Sequence, residues 1–381
     1  MATAKRAPAA SRARGRRAGG LWRGVAWAWS GGAVLGLRAL GATLRHARPL
    51  RRWMGVVQDL AARGLVDDAR REYVRALRPF VHRRTDVAER VAQLIDHIDW
   101  MESAFHPDAF ERLARGQAVV LAELPPPRGF ESFAVQLQRN LRQGPEGELL
   151  LRLVLRRARE VQPAAPELEV AVIAFTRMRL QGLACLAIGG VRGPREPHAR
   201  LSSAEVSQAL HGWKAPVFIV RIAQELARWW GLNLVGLDPA WHRLQAWPHR
   251  WNPARRQAAR RIYISYDALW EHFEARPGPA GWVRLPLQSD EKLEATARSP
   301  ERRQRQTRRA DFWIRTRHLL REGFRRQLVR QAPETARGPV TQNLGPKTVA
   351  AEASAWDEAD FQHSEEIVPS RSLDTGPGAI D

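Results

Sequence analysis

Leu149-Leu150-Leu151-Arg152-Leu153-Val154-Leu155, set between Gly147 and Arg157, places a leucine at every second position. A two-residue period marks a strand with one face in a core. Phe133, Val135 and Leu137 alternate with polar neighbours in the same way. Leu168 to Thr176 and Gly182 to Ile188 are apolar and β-branched runs of strand length. Short connections between these runs predict an antiparallel meander. On either side the period becomes helical. Asp86 and Glu89 form a capping box ahead of Val91, Leu94, Ile95, Ile98, Met101 and Phe105. Pro107 stops that helix, and a shorter one, Ala109 to Arg115, ends at Gly116. Beyond Gly190, Ser202 or Ser203 can cap a helix that ends near His211 and Gly212. Pro216 opens an apolar helix that Gly231 closes. Leu232 to Leu237 reads as a buried strand, Tyr266 to Phe273 as a short helix, and Arg298 to Arg330 as a basic helix.

These readings predict an α+β or α/β fold. A helical layer occupies 49–116, a mainly antiparallel sheet core 117–290, and a helix–strand unit closes the sheet. The basic helix follows at 298–330. Residues 1–20 are low-complexity and basic, and 331–381 are rich in Pro, Gly, Ser and acidic residues, so both are expected to be disordered tails.

Residues 21–48 form an apolar segment flanked by arginines. Its uncharged apolar run, Val25 to Leu37, is shorter than the about 20 residues a membrane span takes. Trp22, Trp27 and Trp29 suit a membrane surface. An export signal and an amphipathic helix packed on the domain are the competing readings.

The chain of 381 residues carries a formal net charge of +21, with a sequence pI near 11.4. Only Lys5, Lys214, Lys292 and Lys347 are lysine, so arginine supplies nearly all the positive charge. Such a balance suits polyanionic partners, either an anionic membrane surface or nucleic acid. It also suits the codon bias of a GC-rich genome. Cys185 is the single cysteine, which excludes an internal disulfide, and its apolar surroundings predict a buried thiol. The histidines lack zinc-ligand spacing, so no metal site is expected. No sequence-specific RNA- or DNA-binding signature occurs.

Four segments in order carry a resemblance. They are the helix at Val87–Phe105 with its Asp96-His97 pair; Leu186-Ala187-Ile188-Gly189-Gly190-Val191-Arg192-Gly193; Ala209-Leu210-His211-Gly212-Trp213-Lys214-Ala215-Pro216 with the helix after it and Gly236; and Tyr263 with Ser265-Tyr266-Asp267-Ala268-Leu269-Trp270-Glu271. Together they resemble the bacterial VirK/YbjX family over roughly residues 50 to 325. That resemblance implies a protein of undefined activity, linked to virulence, the bacterial envelope and tolerance of antimicrobial peptides. The single cysteine fits a reducing, cytoplasmic compartment, with peripheral contact to the inner membrane an open expectation. After Gly236 the chain departs from the family's Ser-Asn-x-His-His-x-Tyr-like run, keeping one His in Leu237-Asp238-Pro239-Ala240-Trp241-His242-Arg243-Leu244.

Three sites suggest chemistry. Gly189, Gly190, Arg192, Gly193 and Arg195 form a glycine-rich strand-to-turn segment whose amides and guanidiniums suit phosphate. With the helices and strand that follow, it is similar to acyltransferases of the GNAT type, which implies acyl-coenzyme A as cofactor. The alternative is a tight turn ending a strand. His211, Asp238 and His242 lie at element ends that converge if Leu232–Leu237 pairs beside Leu183–Ile188. A histidine there would act as base and Asp238 would orient it; the alternative is that His211 and Asp238 are caps. Lys214, Arg250, Arg255 and Arg256 form a candidate anion-binding set. The last three fall in Trp241–Arg261, where arginine alternates with Trp247 and Trp251. Small-molecule or lipid substrates fit the first two sites, and anionic lipid or nucleic acid fits the third.

Overall fold

In the computed structural model the described residues are 20–78, 81–82, 84–127, 130–141, 146–157, 167–193, 203–242, 266–287 and 300–330. The two expected tails therefore lie outside them, apart from Gly20. The chain opens with helices α1 (Gly20–Trp29), α2 (Ala33–Arg45), α3 (Ala47–Ala62) and α4 (Ala69–Arg75). Helices α5 (Val87–Ala104) and α6 (Pro107–Ala114) follow. A meander is next: β1 (Val119–Leu124), β2 (Phe130–Arg139), β3 (Leu149–Arg157), β4 (Leu168–Leu180) and β5 (Leu183–Arg192). Then come α7 (Ser203–Ala209), α8 (Ala215–Trp230), β6 (Asn233–Leu237), helix α9 (266–272), β7 (Arg276–Pro277), β8 (Trp282–Leu285) and α10 (Pro300–Gln327). The sheet order is β1-β2-β3-β4-β5-β6-β8-β7. Neighbours are antiparallel except β5 and β6, which run parallel. This is the α+β architecture that the two periods predict.

Alternation decides the faces. Leu149, Leu151, Leu153 and Leu155 enter the large core shared with α5, α6, α8 and α10. Arg152, between them, joins Glu169, Gln136 and Gln138 on the opposite face. That face also carries a small cluster of Met178, Ala187, Val235, Leu237 and Trp282. Cys185 belongs to the cluster and is buried, as its surroundings predicted. Strand β1 was not visible from the sequence. Val119-Val120-Leu121-Ala122 is a continuous apolar run with no alternation, because the strand bulges at Leu121, between the Val120–Gln136 and Ala122–Val135 pairs; α10 packs over it. Gly323 of α10 lies so close to the Leu121 carbonyl that a methyl group there would overlap it.

Charged side chains tie the helical layer to the sheet from within. Glu72 accepts from Arg139 at 2.6 Å and from Arg75 at 3.3 Å, and Arg75 reaches Glu148 at 2.7 Å. Burial pushes the Glu72 carboxyl up, but Arg139 and Arg75 outweigh it and hold it below the usual range. The Asp96-His97 pair grips β4 at one residue. Asp96 pairs with the Arg177 side chain, and His97 Nδ1 accepts from the Arg177 backbone N–H at 3.1 Å.

His97 is fully buried. Burial, with Arg139, Arg75 and Arg177 nearby, lowers its pKa well below 6.5. It therefore stays neutral in the fold while it protonates in the unfolded chain. Its contribution to stability is full above about pH 6.5 and declines as pH falls, at up to about 1.4 kcal/mol per pH unit. His97→Phe should lower stability at pH 7 by about 1–3 kcal/mol, since the Arg177 N–H loses its acceptor. It should also flatten the acid slope between pH 6.5 and 5, as read by urea denaturation at stepped pH.

Candidate functional site at the open end of the sheet

Strands β5 and β6 pair from Cys185↔Asn233 to Ile188↔Gly236, and there the pairing stops. Strand β5 runs on to Arg192. On its other edge Ala174 pairs with Gly190 and Phe175 with Ile188, so Gly189 is an inserted residue, a β-bulge. The expected strand-to-turn segment is thereby corrected: Gly189, Gly190 and Arg192 are strand, and Gly193 follows its end. The glycines serve close approach. The Glu146 backbone carbonyl crowds Gly189, and a methyl on Gly190 would come within 2.8 Å of the Glu146 carboxylate. That carboxylate stands 4.0 Å from Arg192.

Helix α9 lies across the mouth where the two strands part. Tyr266 Oη accepts from the Val191 N–H at 2.6 Å and donates to the Val191 carbonyl at 3.2 Å. Its hydroxyl thus takes up backbone groups that a longer β6 would have paired. Burial raises the Tyr266 pKa, so the phenol stays protonated. Trp270 Nε1 donates to the Leu237 carbonyl at 3.1 Å, and its ring lies over Gly236.

The other side of α9 walls a pocket of about 350 Å³. Ala268, Leu269 and His272 face the first turn of α8, with Trp213, Lys214, Pro216 and Val217, and Arg309 of α10 completes the wall. Lys214 precedes the helix in an extended conformation, and its side chain does not cap it. Arg309 donates to the Gly212 carbonyl. Burial, then Arg221 and Lys214, lowers the His272 pKa. The start of a 16-residue helix with two cations beside it is an attractive place for negative charge.

The remaining predicted residues are dispersed around this region. His211 has a left-handed backbone (φ 50°), and its ring packs 4.5 Å from that of Phe312. Burial, Arg315 and Arg308 lower its pKa. Asp238 accepts from the Ala240 N–H at 2.8 Å, capping the 3-10 turn Pro239–Trp241. His242 is buried and bridges to His82. The structure brings Lys214 to the pocket and Gly189, Gly190 and Arg192 to the mouth, while it sets His211 against α10. Arg195, Arg250, Arg255 and Arg256 lie outside the described residues. Sequence reasoning missed Glu146, His272 and Arg309 as parts of the site. Tyr266 could have been found, because it sits in one of the four motif segments. Arg309 is hidden among the many arginines of its helix. No cluster able to hold a metal occurs among the described residues.

A family described as a protein of unknown function, DUF535, matches residues 37–312. The chain belongs to the DUF535 family. This is the VirK/YbjX family that the four motif segments resemble. No curated protein matches the chain, and no solved structure does. The DUF535 match takes in α3 to α9 whole, so the mouth, the bulge and Tyr266 fall inside it, and Arg309 stands near its end.

Tyr266→Phe should leave the buried Val191 N–H without an acceptor. The expected loss is about 1–3 kcal/mol in chemical denaturation, with faster amide exchange at Val191. An unchanged midpoint would show that the hydroxyl does not hold β5.

Proposed function

We propose that the mouth between β5 and β6 holds an acyl thioester of the acyl-coenzyme A class and passes its acyl group to an envelope component at the cytoplasmic face of the inner membrane. The observation that carries this reading is the Gly189 bulge at the point where the parallel pair ends. It leaves backbone groups of β5 beyond the reach of β6, next to a pocket with cationic walls. Phosphates would sit at the start of α8 near Lys214 and Arg309, with Trp213, Val217 and Leu269 against the apolar part of the cofactor.

An amine or hydroxyl of the acceptor would attack the thioester carbonyl. The Val191 N–H would donate to the developing oxyanion once the Tyr266 hydroxyl turns away. The C–S bond would then break, and the departing thiolate would take the proton that the base removed from the acceptor. Of the histidines, His272 lines the pocket, and its lowered pKa keeps it neutral and able to take the acceptor's proton, whereas His211 packs on Phe312 and His242 is buried beside His82.

A second reading is a non-catalytic binder of anionic lipid or nucleic acid. It is favoured by the exposed arginines of α10, among them Arg305, Arg308, Arg315 and Arg325.

Calorimetry with acyl-coenzyme A separates the two readings. The full chain should bind, and Lys214→Ala and Arg309→Ala should each weaken binding about tenfold or more, the worth of one charge-assisted hydrogen bond. Arg192→Ala should weaken it too. No heat at millimolar ligand would remove the cofactor, and salt-sensitive binding to nucleic acid or anionic vesicles alone would favour the second reading.

A further inference from the structure

Helices α1 and α2 pack side by side across the turn Ser30–Gly32 and bury Leu21, Val25, Ala28 and Ala39. Their outer face is unusually apolar. Among the described residues the large exposed hydrophobics are concentrated here: Trp22 (65% exposed), Trp29, Val34 (68%), Leu37 (60%) and Leu44 (75%). On α2, positions 34, 37 and 44 share one stripe at 100° per residue. On α1, positions 22 and 29 are two turns apart on one side. The Trp29 ring lies on Gly36, so α1 and α2 meet closely at that glycine.

Beside this stripe lies a second pocket of about 350 Å³, lined by Arg38, Arg45, His46 and Arg90, with Leu77 and Val87 at its apolar wall. Arg90 is buried and fixed by the Asp86 and Arg78 carbonyls. Arg38 and Arg45 are exposed and make no salt bridge among the described residues. Asp86 and Glu89, on the α5 side of Arg90, are the carboxylates that reach it. The first 58 residues of the chain contain no Asp or Glu, while Arg23, Arg38, Arg45, Arg48, Arg51 and Arg52 follow one another through α1 to α3.

We infer that this face docks on an anionic bilayer, with a lipid phosphate in the Arg38–Arg45–Arg90 pocket and the Trp22–Leu44 stripe among the headgroups and upper acyl chains. Charge complementarity selects the occupant. A protein partner would have to be both acidic and apolar, whereas an anionic lipid supplies the phosphate and the apolar layer in one molecule. Tryptophan at 22 and 29 suits headgroup depth. Because no described helix is long and apolar enough to cross a membrane, the contact is one of surface docking. The inference does not depend on acyl transfer at the β5–β6 mouth.

Flotation of the full chain with phosphatidylcholine vesicles, with and without phosphatidylglycerol, tests it. Binding should require phosphatidylglycerol and weaken as salt rises. The double change Arg38→Ala with Arg45→Ala should weaken it roughly 30-fold. Leu37→Ser with Leu44→Ser should weaken it at least about tenfold. All four side chains are exposed, so the thermal transition should hold, and Ile314→Ser on α10 should change nothing. Equal binding to neutral vesicles, or no effect of either double change, overturns the inference. So does heat of binding to inorganic phosphate that the arginine change abolishes while vesicle binding stays intact, since the pocket would then serve free phosphate. Self-association in place of vesicle binding, abolished by the leucine change, would assign the face to a second copy of the chain.

Discussion

The contact of the Glu146 carbonyl with Gly189 is the constraint on which the open end of the sheet depends. The segment ahead of β3 lies so near β5 that no side chain fits at position 189. The strand answers with a bulge, and the bulge coincides with the last β5–β6 pair. From there β5 continues with β4 on one edge and the Tyr266 hydroxyl on the other. Strand β6 ends one residue later, at Leu237, and Asp238 caps the 3-10 turn, so among the described residues it is Tyr266 that pairs with β5 beyond the bulge on that edge. The same segment brings the Glu146 carboxylate to Arg192, so one packing event sets both the shape and the charge of the mouth.

Helix α9 converts that gap into a site. Its Tyr266 and Trp270 hold the ends of β5 and β6 by backbone hydrogen bonds, and its Leu269 and His272 line the pocket at the start of α8. A single short helix therefore links strand ends to a cationic pocket. The buried charges Glu72, Arg75, Arg139 and Glu148 do comparable work for α4, binding it to the end of β2 and to the residue ahead of β3. Such pairs are weak stabilisers when intact but strongly destabilising when one member is lost, so they fix which helix meets which strand.

Much of the fold was legible because alternation and caps are local. Leu149 to Leu155 gave away β3, Asp86 capped α5 as predicted, and Gly231 ended α8 in a left-handed conformation. Strand β1 was not legible because its bulge at Leu121 breaks the alternation. The bulge at Gly189 was hidden for a different reason. Gly189-Gly190 reads equally as a turn or as a crowded strand, and only the distant Glu146 decides between them. The site divided along the same line. Glycines and Lys214 stood in recognisable local patterns, whereas Glu146, His272 and Arg309 reach the mouth or the pocket only through tertiary packing. Asp238 resolved to the capping role that its position before a proline also allowed.

Hydrogen–deuterium exchange with and without acyl-coenzyme A tests the central claim most directly. The claim is that one ligand occupies both the strand mouth and the start of α8. Protection should rise together in segments 186–193, 213–218 and 266–272, while α3 exchanges as before. Protection confined to other segments, or no change at saturating ligand, would contradict it.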